Sequence, residues 1–165
     1  MSAAALTLVV AGSLLLAGCG SSSAPSASHP HAAAKPAASP ASAFATHAGL
    51  AFGTFYRYIY APYRAGRFSP AAGDRAALSR ATLAAKFVAD QLEQATVAAH
   101  ESSALAKLVA PLHVLDEGFR TALVKLRAGH FKMSEIAAAN LAISSIKGGA
   151  MQAGLPITES TPSAI

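Results

Sequence analysis

The sequence predicts an all-α fold: a small antiparallel bundle of about four helices, following a signal segment and a disordered linker. Three observations predict it. Apolar residues recur at three- and four-residue steps through four successive stretches, which is the spacing of one helix face. No stretch alternates apolar and polar residues as a half-buried strand does, and the chain has no Asn-Gly or Asp-Gly hairpin signal. Proline, glycine and serine fall between the periodic stretches, where short connections between antiparallel helices need them.

The first helix is expected over Phe44 to Tyr60, with Phe44, Ala48, Phe52, Phe55, Tyr56, Ile59 and then Tyr63 in step. Gly49 and Gly53 lie one turn apart, which lets another helix approach at a cost of about 1 kcal/mol each in helix propensity. Pro62 lacks a backbone donor and is expected to end or kink the helix near Tyr60, before a turn through Ala65-Gly66-Arg67-Phe68. Ser69-Pro70 has the chemistry of a second helix start, with Asp74 suited to the positive end of the helix dipole. That helix keeps its spacing through Leu78, Leu83, Phe87, Val88, Leu92, Ala95 and Ala99 to about His100.

Ser102 and Ser103 are expected to cap a third helix, whose apolar face is Leu105, Leu108, Val109, Leu112, Leu115, Phe119, Leu123 and Leu126. Gly129 supplies its stop, and Pro111 inside an unbroken pattern predicts a kink, not a break. Ser134-Glu135 opens a shorter fourth helix through Ile136, Ala139, Ile143 and Ile146, closed by Lys147-Gly148-Gly149. The domain therefore spans 44–155, and the tail 156–165 is expected to be loose. Alanine dominates and tryptophan is absent, so the helices must pack tightly on small side chains.

Ahead of the domain, an apolar run from Ala3 to Leu16 leads into Leu16-Ala17-Gly18-Cys19 and then a Ser/Ala/Pro segment. The run is shorter than the roughly 20 residues that span a bilayer. The four residues resemble the lipobox of bacterial lipoproteins, although no Lys or Arg precedes the apolar run. The resemblance implies a signal peptide over 1–18, cleavage between Gly18 and Cys19, and a diacylated Cys19 as mature N-terminus. It further implies a protein held by membrane lipid on the extracytoplasmic face of a bacterial cell membrane. Two acyl chains anchor stably, since each buried methylene adds about 0.8 kcal/mol. With the only cysteine committed to lipid, no internal disulfide is expected. Residues 19–43 then form a linker of disordered composition, on the order of 25–30 Å of reach.

The net charge is +5, and of the basic residues only Lys35 precedes Phe44. A basic domain held outside the membrane is expected to meet anionic lipid headgroups or an anionic cell-wall polymer, and not nucleic acid. The stretch from Phe55 to Phe68 interleaves aromatics with arginines and holds every tyrosine of the chain. Arg57, Tyr58, Tyr60, Arg64 and Arg67 are its candidate partner-facing residues, because guanidinium groups bind phosphate or carboxylate bidentately and stack on rings.

Four domain histidines, His47, His100, His113 and His130, are the candidates for a metal or haem site; His113 with Asp116 and Glu117 is their densest grouping. The Glu-x-x-His spacing of carboxylate di-metal bundles is absent, so no cofactor is expected. Gly-x-Ser-x-Gly, His-Glu-x-x-His, Cys-x-x-Cys and a glycine-rich phosphate loop are absent too, and no enzymatic activity is expected. The helical part resembles small alanine-rich lipoproteins and secreted proteins of high-GC Gram-positive bacteria, a likeness that assigns no residue a role. Two readings follow: a membrane-anchored binding or structural module, or a carrier of metal, haem or small ligand built on the histidines or on the kinked third helix.

Overall fold

The computed structural model of the protein describes residues 38–68, 74–127 and 132–165, without the side chains at 126 and 127. The signal segment, Gly18, Cys19, most of the linker, Ser69-Pro70, Gly129 and His130 lie outside the described residues. What is described is an all-α bundle. Its elements are α1 (Pro40–Phe55), a π-helical turn (Tyr56–Tyr60), α2 (Ala61–Arg64), α3 (Arg75–His100), a 3₁₀ turn (Ser103–Leu105), α4 (Ala106–Arg127) and α5 (Met133–Gln152). Because α1, the π turn and α2 follow without interruption, they make one long helix, and the bundle has four.

The first helix starts earlier than its apolar spacing indicates. Ser39 accepts a hydrogen bond from the Ser42 amide at 3.2 Å, and Pro40 occupies the first turn, where its missing proton is no loss. The linker therefore gives way to helix before residue 43. At the other end the helix passes through Pro62: of the end or kink expected near Tyr60, the end does not occur, and the coil is distorted over Tyr56–Tyr60 instead. The π turn lets the Ala61 amide reach back five residues to the Tyr56 carbonyl, which loosens the coil just ahead of the proline. The helix ends instead at Gly66, whose φ of 69° completes a turn in which Gly66 N–H bonds Tyr63 and Arg67 N–H bonds Pro62.

Between Ala48 and Phe55 this helix is enclosed on nearly every side: Ala48, Gly49, Ala51, Phe52, Gly53, Thr54 and Phe55 are all buried. Antiparallel to it, α3 supplies a stripe of small residues: Ala77, Ala81, Ala84, Ala85, Ala95 and Ala99, with Val88 and Leu92. Of the larger residues expected on that face, Val88 and Leu92 are buried, and the other three are not. Leu83 is 53% exposed, and Phe87 and Leu78 are half-buried. An alanine face allows close approach to a helix that already carries three buried phenyl rings, Phe44, Phe52 and Phe55. The α3 cap is also reassigned, since the Asp74 carboxylate accepts from the Ala77 amide at 2.8 Å.

The third helix begins with the 3₁₀ turn, and Ser102 contributes its carbonyl to Leu105 N–H, not its hydroxyl, as a cap. It continues as α4 through Pro111 without a break, as expected. Its face is as the spacing predicts, with Leu105, Leu108, Leu112, Leu115, Phe119 and Leu123 buried. The fourth helix, α5, does not close at Gly148-Gly149. It runs on to Gln152, and Gly154 with φ 77° forms the stop, with Gly154 N–H bonded to Met151 and Leu155 N–H to Ala150. Gly149 serves a different purpose: a Cβ there would lie 2.6 Å from Leu108 Cδ2, so it admits α4 against α5.

The tail expected to be loose is held against α1. Ser160 N–H donates to the Gly49 carbonyl at 3.0 Å, Lys147 pairs with Glu159, and Ile157 packs against the core. Gly49 and Gly53 therefore admit an extended segment, where the sequence pointed to a helix. A Cβ on Gly53 would lie 2.1 Å from the Ser160 carbonyl oxygen, and one on Gly49 2.3 Å from that of Thr158. Gly53→Ala is expected to expel residues 157–160 from α1, read as a lower melting temperature and faster amide exchange in the tail. Thr54→Val has the opposite expectation. The Thr54 hydroxyl is buried with no hydrogen-bond partner among the described residues, so removing it raises stability by about 1 kcal/mol in denaturant unfolding.

Candidate functional site

The aromatic and arginine-rich stretch divides into two environments at the π turn. On the core side Tyr60 lies 5.9 Å from the Phe55 ring and 5.7 Å from Tyr56, and Tyr63 follows at 6.1 Å from Tyr60. These rings continue the packing of Phe55 on Phe119, an edge contact at 5.7 Å. Tyr60 therefore takes part in the aromatic packing, half-buried, and does not line the arginine cleft. Arg64 is exposed and stands apart from the cleft that its neighbours line.

Arg57, Tyr58 and Arg67 do come together. With Pro62 and with Ala76, Ala77 and Arg80 of α3 they line a cleft of about 380 Å³. The antiparallel pairing of α1 with α3 creates it by placing the start of α3 beside the end of the first helix. Arg80 is the member that sequence reasoning missed. It lies 23 positions from Arg57, and no local pattern connects the two; only the short connection from Arg64 to Arg75 pointed to the ends of the two helices meeting.

The cleft's electrostatics are one-sided. Arg57 stands over the Tyr58 ring at 5.5 Å, a cation–π contact that fixes the guanidinium at the rim. Arg67 donates from Nε to Asp74 Oδ2 at 2.8 Å. Asp74 is the residue that caps α3, so one carboxylate ties the cap to the cleft. Its pKa is lowered, first by the Ala77 amide hydrogen bond and then by the Arg67 side chain, with Arg80 adding a smaller attraction. Three arginines and one carboxylate leave this end of the bundle positively charged. A cleft with convergent guanidinium donors and a tyrosine ring can hold a phosphate, sulfate or carboxylate group.

The three described domain histidines do not converge. His47 is half-buried on α1, with Nδ1 donating to Gln91 Oε1 of α3 at 2.9 Å; His100 ends α3 and His113 lies on α4, both exposed. Asp116, next to His113 in the expected grouping, is buried and instead accepts from Arg120, which also reaches Glu93. Among the described residues no three His, Cys, Asp or Glu side chains lie close enough to hold a metal ion. Nor is any helix among them long and apolar enough to cross a membrane. Comparison of the chain with protein-family models, curated proteins and solved structures finds no match.

The sign of the Asp74 effect gives a pH test. A carboxylate with a lowered folded pKa stabilises above its ordinary value of 3.8 and loses that contribution as pH falls through the lowered value. Asp74→Asn keeps a good helix cap but not the charge. The variant is expected to lose part of the acid-induced fall in melting temperature while retaining helix content at neutral pH, as followed by circular dichroism.

Proposed function

We propose that this protein is a bacterial lipoprotein anchored outside the cytoplasmic membrane through a diacylated Cys19. Its helical domain is a binding module for an anionic component of the envelope. The lipobox pattern Leu16-Ala17-Gly18-Cys19 supports the anchor. The observation that carries the binding role is the cleft in which Arg57, Arg67 and Arg80 gather round Tyr58 with Asp74 as counter-charge. A linker of 19 residues or more between Cys19 and the first helix lets that face reach either headgroups or cell-wall polymer. Binding, without catalysis, accords with a chain that carries none of the common catalytic signatures.

Two measurements test the two halves. Mass spectrometry of the protein extracted from its native membrane is expected to show an N-terminus at Cys19 carrying two acyl chains, and Cys19→Ala is expected to leave the chain uncleaved. A full-length product with a free thiol would remove the anchor. For the cleft, the full chain is expected to co-sediment with phosphatidylglycerol vesicles or teichoic acid in a salt-sensitive way. Each arginine near an anionic surface contributes about 1 kcal/mol, so replacing Arg57, Arg67 and Arg80 together by glutamine lowers binding roughly a hundredfold. Unchanged sedimentation would sink the electrostatic reading.

A further inference from the structure

Three of the helical glycines have a visible cause, and two, Gly118 and Gly148, do not. Gly49, Gly53 and Gly149 each sit where a Cβ would strike Thr158, Ser160 or Leu108. Gly118, in the middle of α4, has no atom within 4 Å of the place its Cβ would take. Glycine weakens a helix relative to alanine, and no contact among the described residues requires one here. Gly148 is open as well, but it lines neither the arginine cleft nor the groove that Gly118 borders.

Gly118 borders a groove of about 520 Å³ between α4 and α5. The two helices meet at Leu108 and Gly149, and the groove opens further along, toward Lys125 and Glu135. Its floor is Phe55, Ile59, Leu115 and Phe119, and its walls are Gly118 and Ala122 facing Ala138, Ala139 and Ala142. These small side chains make the groove mostly apolar, with the exposed Glu117 and Thr121 also lining it. One end is polar. Lys125 Nζ donates to Glu135 Oε1 at 2.5 Å, so this end carries no net charge. Glu135 Oε2 is buried with no hydrogen-bond partner among the described residues. A buried carboxylate oxygen without a donor is costly, and a groove of this volume with a few convergent polar groups is the usual form of a small-molecule site.

We infer that the groove binds a single-chain lipid with a neutral hydroxylated head, of the monoacylglycerol class. The unbranched chain lies along the glycine and alanine walls over the phenyl floor. A head hydroxyl donates to Glu135 Oε2 and accepts from Lys125, whose ammonium has protons to spare beyond the one given to Oε1. An anionic head fits less well, because the Lys125–Glu135 pair is already neutral and Glu117 adds a further carboxylate to the lining. This site is separate from the arginine cleft and shares none of its lining residues.

The test is native mass spectrometry of the full chain with monopalmitin, which is expected to add one molecule per chain. Methyl palmitate has the same chain but no donor, and is expected to bind about tenfold more weakly, since it leaves Oε2 unpaired. Gly118→Leu places a side chain in the groove at a position with no Cβ clash and better helix propensity. It is expected to abolish monopalmitin binding with helix content kept or raised. Ala139→Phe, filling the groove from α5, is expected to do the same. Substituting Arg57, Arg67 and Arg80 leaves monopalmitin binding unchanged, which separates this site from the cleft. Absent binding, unchanged binding in a folded Gly118→Leu variant, or equal binding of methyl palmitate would each overturn the inference. So would a concentration-dependent dimer that Gly118→Leu abolishes, since the groove would then be covered by a second copy.

Discussion

The bundle depends on enclosing one helix. From Ala48 to Phe55 almost every side chain of the first helix is buried, so this segment must be met on all sides, and in a chain without tryptophan most of what meets it is small. The alanine stripe of α3 lies along one side, and on another Gly49 and Gly53 expose backbone to which the C-terminal segment bonds directly. Three phenyl rings provide the bulk, at about 1.5–3 kcal/mol each for full burial; alanines and glycines provide the closeness that lets those rings touch their neighbours. Tight packing around α1 and α3 leaves little room for a cavity there. Two openings lie at the edges, one at the junction of the first helix with α3 and the other between α4 and α5.

Both openings follow from how the chain handles residues that disturb a helix. Pro62 is carried by a π turn that divides the aromatic stretch: Tyr56, Tyr60 and Tyr63 go to the core side, Arg57 and Tyr58 to the cleft. Gly118 sits in α4 with open space before it, and its lack of a side chain keeps the α4–α5 groove clear. Gly149 does the reverse, since it brings α5 onto Leu108. Identical residues thus serve close approach at one position and an opening at another, and only the surroundings distinguish them.

The helices were legible because burial imposes a period. Phe44, Phe52 and Phe55 on the first helix, Leu105 through Leu123 on the third and Ile136, Ile143 and Ile146 on the fourth fall where three- and four-residue steps put them. Spacing was a poorer guide on α3, where alanine is buried and Leu83 is not. Hydrophobicity alone ranks leucine above alanine, but the room left beside three phenyl rings favours the smaller side chain. Helix ends were misplaced wherever a glycine had two readings. Gly148-Gly149 resembled a stop, yet the positive φ falls at Gly154.

By itself the sequence determined the all-α class, the faces of most helices and the concentration of arginine and tyrosine near Pro62, because each is a local property of spacing or composition. The tertiary structure alone decided that Arg80 joins Arg57 and Arg67 and that Tyr60 leaves them. It also decided that residues 157–160 lie along α1 and that Glu135 and Gly118 border one groove. Those relations join positions far apart in the chain, and which of them form depends on how closely the helices approach. That distance is set by the packed surfaces together, and no single segment carries it.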